Sequence, residues 1–132
     1  MLRYNCILGM EGEFMRLKNV LIVVKDIEKS KAFYRELFGL SVAVDMGTNV
    51  ILTEGLVLQD KEVWERALGQ GITEGGCDAL LYFEESNLDL FLEKLQKSEF
   101  IVQQLHPMIE SNGQRIVRLY DPDKHVIEIR EK

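Results

Sequence analysis

Glu128 is the residue of this sequence with the best claim to chemistry. It stands between Ile127 and Ile129 in a β-rich run, and strand alternation puts the two isoleucines on one face and Glu128 on the other. A carboxylate enclosed in a cavity needs a cation, a hydrogen-bond donor or a substrate beside it. We therefore predict that Glu128 lines a ligand site, where it would bind the ligand or act as the catalytic acid or base.

A tight hairpin positions Glu128. The tetrapeptide Asp-Pro-Asp-Lys at residues 121–124 is typical of a turn, because Asp can bond the backbone and Pro presets φ at the second position. The β-rich runs on either side predict strands over residues 114–120 and 126–131.

The remaining chain shows the order strand, helix, three strands, twice over. In the first half we expect a central strand and a helix followed by three short strands, at residues 16–24, 27–38, 40–45, 49–53 and 56–59. A short helix over residues 60–68 and a glycine-rich linker over 69–76 follow. In the second half we expect a strand over residues 78–83, a helix opened by Ser86, a strand within 99–108 and the hairpin.

This repeat predicts an α+β fold of two βαβββ modules, over about residues 15–68 and 77–132. Each module's helix buries its apolar stripe on one face of its strands. The other face of the mixed sheet is left concave, so that the paired modules form a cup. Residues 1–14 show no period, and we interpret them as an N-terminal extension that is either outside the fold or an arm that packs or swaps onto a neighbour.

Composition narrows the classes of function. The chain of 132 residues is 46% hydrophobic with a net charge of −6, which opposes a nucleic-acid binder because such proteins need a basic surface. No apolar run approaches the length of a membrane span. The two cysteines, Cys6 and Cys77, have no metal-binding spacing and indicate a reduced, cytoplasmic protein.

Two phrases carry a resemblance to a known family. Residues 23–40 read Val-Val-Lys-Asp-Ile-Glu-Lys-Ser-Lys-Ala-Phe-Tyr-Arg-Glu-Leu-Phe-Gly-Leu, and residues 114–129 read Gln-Arg-Ile-Val-Arg-Leu-Tyr-Asp-Pro-Asp-Lys-His-Val-Ile-Glu-Ile. With the order of elements, they resemble the vicinal oxygen chelate superfamily of glyoxalases, bleomycin-resistance proteins, fosfomycin-resistance enzymes and extradiol dioxygenases. The resemblance covers residues 15–132 and is specific for the fold, which hosts many reactions.

The resemblance implies four corner positions for a divalent metal. Family members hold the ion with one residue from the first and last strand of each half, and the corresponding residues here are Asn19, Gln59, Asp78 and Glu128. None of the four is His, whereas Zn²⁺ and Ni²⁺ prefer sites with imidazole. We therefore expect a polar ligand-binding lining without a cofactor. The alternative is Mn²⁺, Zn²⁺ or Ni²⁺ held by Gln59, Asp78 and Glu128.

Several other residues could contribute to the site. Tyr82 shares strand parity with Asp78 and is expected to line the cup, while Trp64 either covers the edge of the core or lies over the cup as a stacking surface. Arg115 and Arg118 could bind an anionic ligand, but parity puts only one of them on each face. Both histidines, His106 and His125, are expected to be structural or solvent-facing, and no base accompanies Cys77. Lys124 stands where the family usually has Gly and would be strained by about 1 kcal/mol if φ is positive there.

The sequence leaves three functions open. The first is a metal-free cup that binds a small organic molecule, as bleomycin-resistance proteins do. The second is a metal-dependent lyase, isomerase or thiol transferase of the glyoxalase type with a degenerate metal site. The third is a metal-free acid–base enzyme that uses Glu128 or Asp78 with a raised pKa. Small relatives commonly form homodimers, so the modules could pair within or between chains.

Overall fold

The computed structural model describes residues 15–132, and the predicted extension over residues 1–14 lies outside them. The order strand, helix, three strands occurs twice, with a short helix between the two occurrences. The elements are β1 (Val20–Val24), α1 (Ile27–Phe38), β2 (Val42–Asp45), β3 (Asn49–Leu52), β4 (Leu56–Asp60), α2 (Lys61–Leu68), β5 (Leu80–Glu85), α3 (Leu88–Lys97), β6 (Ile109–Ser111), β7 (Gln114–Tyr120) and β8 (Val126–Glu131). The predicted α+β fold of two βαβββ modules is confirmed.

Each module forms its own four-stranded mixed sheet. The strand orders are β1-β4-β3-β2 and β5-β8-β7-β6, which are the same order in the two modules. In both sheets the first strand lies at the edge and runs parallel to the last strand, while the other neighbours are antiparallel. The sheet of the second module therefore repeats the strand arrangement of the first.

The helices begin and end where local chemistry requires. Asp26 caps α1 by accepting a hydrogen bond from the Lys29 amide at 3.1 Å, and Gly39 ends the helix with φ of 69°. Phe33 and Leu37 of α1 are almost completely buried. In the described part of the chain, no helix has the length and apolarity needed to cross a bilayer.

One hydrophobic core joins the two modules. The ring of Phe38 in α1 lies 4.6 Å from that of Phe83 in β5 and 5.5 Å from that of Phe91 in α3, measured between centroids. Phe33 meets Phe100 edge to face at 5.4 Å. Both helices therefore pack on the same side of the molecule, and the opposite face of each sheet forms the cup face.

The terminal turn fastens the second module to the first. The Tyr34 hydroxyl in α1 donates a 2.6 Å hydrogen bond to Asp121 Oδ2, and the Lys25 amide donates to Asp123 Oδ1 at 2.9 Å. Asp121 also accepts from His125, through the amide at 2.9 Å and ring Nδ1 at 2.7 Å. The two phrases that carry the family resemblance therefore meet at this contact, which explains why they mark the fold and not the reaction.

Three predictions about the first strand of each module are wrong. β1 is an edge strand, not a central one, and it begins at Val20 instead of residue 16. Its continuous apolar pattern arises because Ile22 and Val24 enter the core while the outer edge of the strand lines a cavity between the modules. β5 begins at Leu80 and ends at Glu85, later than the predicted range of 78–83.

The second module differs from prediction at two further points. Helix α3 is capped by Asn87, whose side chain accepts from the Leu90 amide at 3.1 Å, so the predicted Ser86 capping box does not form. Residues 99–108 do not form a strand, because they pair with β7 only through a bridge from Gln104 to Leu119. The edge strand is the short β6 instead.

Candidate functional site

Glu128 lies on the cup face of the second module. Ile127 and Ile129 are in the core, with exposures of 0% and 1%, and Glu128 points to the opposite face while remaining only 6% exposed. The strand register places Glu128 between Tyr82 of β5 and Arg118 of β7. These three residues form a row across the sheet, in agreement with the predicted alternation.

Two arginines hold the Glu128 carboxylate. Arg118 Nε donates to Glu128 Oε1 at 2.7 Å, and Arg130 Nε donates to Oε2 at 2.7 Å. Burial by itself raises the pKa of Glu128, but the hydrogen bonds and charges of Arg118 and Arg130 outweigh it and lower the pKa below the ordinary 4.5. Glu128 is therefore an ionised carboxylate at neutral pH.

His106 supports this pair from the side of Arg118. Its ring Nδ1 lies 2.8 Å from the Pro107 carbonyl oxygen, which can only accept, so Nδ1 carries the hydrogen. The other nitrogen, Nε2, lies 3.3 Å from Arg118 Nη1 and accepts from it in the neutral ring. The expectation that His106 is structural fits this placement, because its contact holds the guanidinium.

Gln59 occupies the matching place in the first module. It lies between Val23 and Asn49 across the sheet and is 7% exposed. Asn49 Nδ2 donates to Gln59 Oε1 at 2.8 Å, and Gln59 Nε2 donates to the Thr48 carbonyl at 3.1 Å. Both ends of the Gln59 amide therefore have protein partners.

The other two predicted corners, Asn19 and Asp78, lie outside the strands. Asn19 precedes β1 and donates to the Gly55 carbonyl at 3.3 Å, at the far end of the strand pair from Gln59. With a rise of about 3.3 Å per residue, this offset separates Asn19 from Gln59 by about 13 Å. Asp78 is exposed in a bend before β5. Glu128 of β8 pairs instead with Tyr82, which lies inside β5.

This donor set does not fit a divalent metal as it is arranged. Each oxygen of Glu128 already accepts a charged hydrogen bond, and two guanidinium groups beside it would repel a cation. The side-chain oxygen of Gln59 already accepts a hydrogen bond from Asn49. Among the residues that the structure describes, no three His, Cys, Asp or Glu side chains converge as a metal site would require.

A cavity of about 230 Å³ lies between the modules, beside the cup face. Its wall consists of the edge of β1, the linker, the start of β5 and the terminal turn, and it includes Asp78. Leu80 and Val126 line it too, and they stand one row along the sheet from Tyr82 and Glu128, about 7 Å away at the strand rise. The cavity and the charged row are therefore neighbouring parts of one concave surface.

The aromatic residues singled out from the sequence have different positions. Tyr82 is 53% exposed on the cup face, and the Arg130 guanidinium lies 5.9 Å from the centre of its ring. Trp64 is half-buried on α2, between the modules in the chain. Arg115 points to the helix side, where it pairs with Glu131 and Asp89, so parity divides the two arginines of β7 as predicted.

Sequence reasoning missed Arg130 as a partner of Glu128. Alternation puts residues two apart on the same face, so Arg130 could have been found by counting from Glu128. Its pairing with Arg118 through one carboxylate depends on the register between β7 and β8, which the sequence does not give.

The fold defines a class of protein built from two paired βαβββ modules. The sequence model of the glyoxalase-like domain family matches residues 17–132. The chain therefore belongs to the glyoxalase-like domain family, within the vicinal oxygen chelate superfamily.

Solved structures agree with this assignment. A protein of unknown function from Agrobacterium tumefaciens str. C58 is 34% identical, with a TM-score of 0.74 over 91% of this chain and 96% of that chain. A glyoxalase-related enzyme from Fulvimarina pelagi is 19% identical, with a TM-score of 0.75 over 90% of this chain and 89% of that chain. The lactoylglutathione lyase of Agrobacterium tumefaciens is 23% identical, with a TM-score of 0.67 over 88% of this chain and 92% of that chain. The last two share the fold. No curated protein matches the chain.

Proposed function

We propose that this protein binds a small organic molecule on its cup face without a metal ion at Glu128. The observation that carries the proposal is the pair of 2.7 Å hydrogen bonds from Arg118 and Arg130 to the two oxygens of Glu128. A metal ligand at this position would have to lose both arginine partners and accept their repulsion of the metal. The neighbouring cavity, with its apolar Leu80 and Val126, offers a surface for an organic ligand.

The pKa of Glu128 also argues against acid–base catalysis by this residue. A general acid or base at neutral pH works best with a pKa near 7, and a carboxyl group reaches that range only when its pKa is raised. The two arginines lower the pKa of Glu128 instead. Asp78 lies in an exposed bend, where no hydrogen bond from another described residue positions it as a base.

Metal titration tests this proposal. Tag-free protein is treated with a chelator, dialysed and titrated with Mn²⁺, Zn²⁺ and Ni²⁺ by calorimetry, with thermal unfolding measured alongside. We expect no stoichiometric binding and no difference between the wild type and Glu128→Gln in the response to metal. A tightly bound stoichiometric ion that Glu128→Gln loses would overturn the proposal and favour the metal-dependent lyase, isomerase or thiol transferase.

We also propose that the protein is a homodimer in the cytoplasm. β1 and β5 are both edge strands, and Val20 in β1 is 48% exposed, which favours association with a second copy. Cys77 is an exposed free thiol, which fits a reducing compartment.

A further inference from the structure

We propose that Arg118 and Arg130 bind a carboxylate group of the ligand, and that the apolar body of this ligand lies against Tyr82 and Leu80. The inference rests on the proposed metal-free binding function and names the chemical class of its ligand. In this arrangement Glu128 is a positioning residue, which fixes both arginines so that their outer nitrogens face the cup.

The arginines have unused donors. A guanidinium group carries five N–H donors, and Glu128 takes only the Nε hydrogen of each arginine. Arg118 Nη1 reaches His106, while Arg118 Nη2 and both Nη groups of Arg130 contact no acceptor within the described range of the chain. Paired Nη donors match the two oxygens of a carboxylate in plane and spacing.

The charge of the cluster favours an anion. Two guanidinium groups surround one carboxylate, which leaves one positive charge uncompensated on a protein with a net charge of −6. Glu84 is beside Arg130 in the strand register, but the two do not form an ion pair within 4.0 Å in the described structure. The side chains of Arg118 and Arg130 are 30% and 35% exposed, so a ligand can reach them while solvent screening remains incomplete.

The surroundings favour an organic anion over an inorganic one. Tyr82 is 53% exposed and Leu80 is 47% exposed, and they stand on the same face of β5. The Arg130 guanidinium at 5.9 Å from the Tyr82 ring ties the charged and apolar parts of the surface together. A ligand that joins a carboxylate to a flat apolar group would contact both.

NMR titration with benzoate and benzamide tests the inference, because the two probes share a ring and differ in charge. The Nε–Hε signals of Arg118 and Arg130 and the ring signals of Tyr82 report binding. We expect benzoate to shift all three saturably and more weakly at high salt, and benzamide to leave the arginine signals unchanged. Equal responses to the two probes, or no saturable response to benzoate, would overturn carboxylate recognition.

Variants separate recognition from stability. Arg130→Lys keeps the charge beside Glu128 but removes the paired N–H donors of the guanidinium group. It should weaken benzoate binding by on the order of tenfold. Arg35→Lys, on the exposed surface of α1, is the matched control and should leave binding unchanged. Tyr82→Leu removes the exposed ring and should also weaken binding while the folded spectrum is retained. Unchanged affinity in Arg130→Lys would contradict the inference.

Glu128→Gln makes the sharpest distinction. Because Glu128 positions both arginines, Glu128→Gln should weaken benzoate binding in a protein whose spectrum shows that it is folded. Tighter binding in a folded Glu128→Gln would show that Glu128 only competes with the ligand for the arginines, and would contradict the inference. Metal binding at Glu128 would instead remove the proposed function itself, whereas binding of benzamide as well as benzoate would remove only the carboxylate preference.

Discussion

Asp121 joins the two modules through a buried hydrogen bond. It is 4% exposed and accepts hydrogen bonds from the Tyr34 hydroxyl, the ring and amide of His125, and the Asp123 amide. Such a buried carboxylate is stable only because all its partners are in place. The residue that opens the predicted turn therefore also links the two modules.

Tyr34→Phe should destabilise the protein, because it removes one donor to Asp121 and leaves the rest of the ring packed in the core. We expect a loss of about 1–3 kcal/mol in the free energy of unfolding, measured in urea. Tyr82→Phe, at an exposed ring, is the control and should change the stability little. Equal stability of Tyr34→Phe and wild type would show that the Asp121 contact does not fasten the modules.

His125 should make stability depend on pH. Burial opposes the charged ring, but the hydrogen bond and charge of Asp121 outweigh it and raise the pKa of His125 above 6.5. The folded state thus holds the proton more tightly than the unfolded state, so the stabilisation is complete below pH 6.5 and is lost as pH rises through the folded pKa. Burial also raises the pKa of Asp123. Its contribution to stability is likewise lost as pH rises, but at lower pH.

The measurement is the free energy of unfolding across neutral pH in wild type and His125→Asn. We expect the wild type to lose stability with rising pH and the variant to lose the part of this slope that His125 causes. A slope that is the same in both proteins would place its origin elsewhere.

At the scale of elements, the terminal hairpin carries a strained residue. Lys124 has φ of 73°, in the left-handed region, and its amide closes the turn to the Asp121 carbonyl at 3.0 Å. A side chain in this region costs about 1 kcal/mol relative to Gly. From the sequence, strain at Lys124 is expected only if φ is positive there, and φ is positive in the structure.

Lys124→Gly should therefore be more stable than Lys124→Ala by about 1 kcal/mol in urea unfolding. The comparison is between the two variants because both lose the Lys124 contacts with Gln103 and with the ring of Tyr120. If Ala and Gly gave the same stability, the turn would have to relax away from positive φ in solution.

Helix α3 shows how local and tertiary signals compete at the boundary of an element. Ser86 with Asp89 resembles a capping box, but Asn87 takes the cap because β5 continues through Glu85. The Asn87 amide donates to the Glu85 side chain at 3.0 Å, which turns the chain into the helix one residue later. Pairing of β5 with β8 sets this boundary, and a pattern within α3 could not reveal it.

At the scale of the whole molecule, the two modules share a core and leave two strand edges open. The unpaired edges of β1 and β5 line the cavity between the modules and have no strand partner in the described chain, although apolar residues stand there. Exposed apolar edges favour pairing between copies.

Val20→Glu should therefore weaken dimerisation, because a charge would enter the edge of β1, where Val20 is 48% exposed. Leu90→Glu on α3 is the matched control, since Leu90 is 56% exposed on a helix away from both edges. Sedimentation velocity should show a dimer for wild type and Leu90→Glu, and a shift toward monomer for Val20→Glu. A monomeric wild type, or a dimer that Val20→Glu leaves intact, would contradict this interface.

The sequence by itself determined the two-module order, the bounds of α1, the terminal hairpin and the face on which Glu128 lies. These features follow from local rules, because helix caps, turn residues and strand alternation act within a few residues. The same parity placed Arg115 and Arg118 on opposite faces, as the structure shows.

Only the tertiary structure decided what meets Glu128. The approach of Arg118 depends on the register of β7 on β8, and the distance of Asp78 and Asn19 from the last strands depends on where β5 and β1 begin. Register and strand ends are set by packing between distant segments, so residues that share a position in a family pattern need not share a site. The physical reason is that alternation fixes a face, whereas neighbours on that face come from other strands.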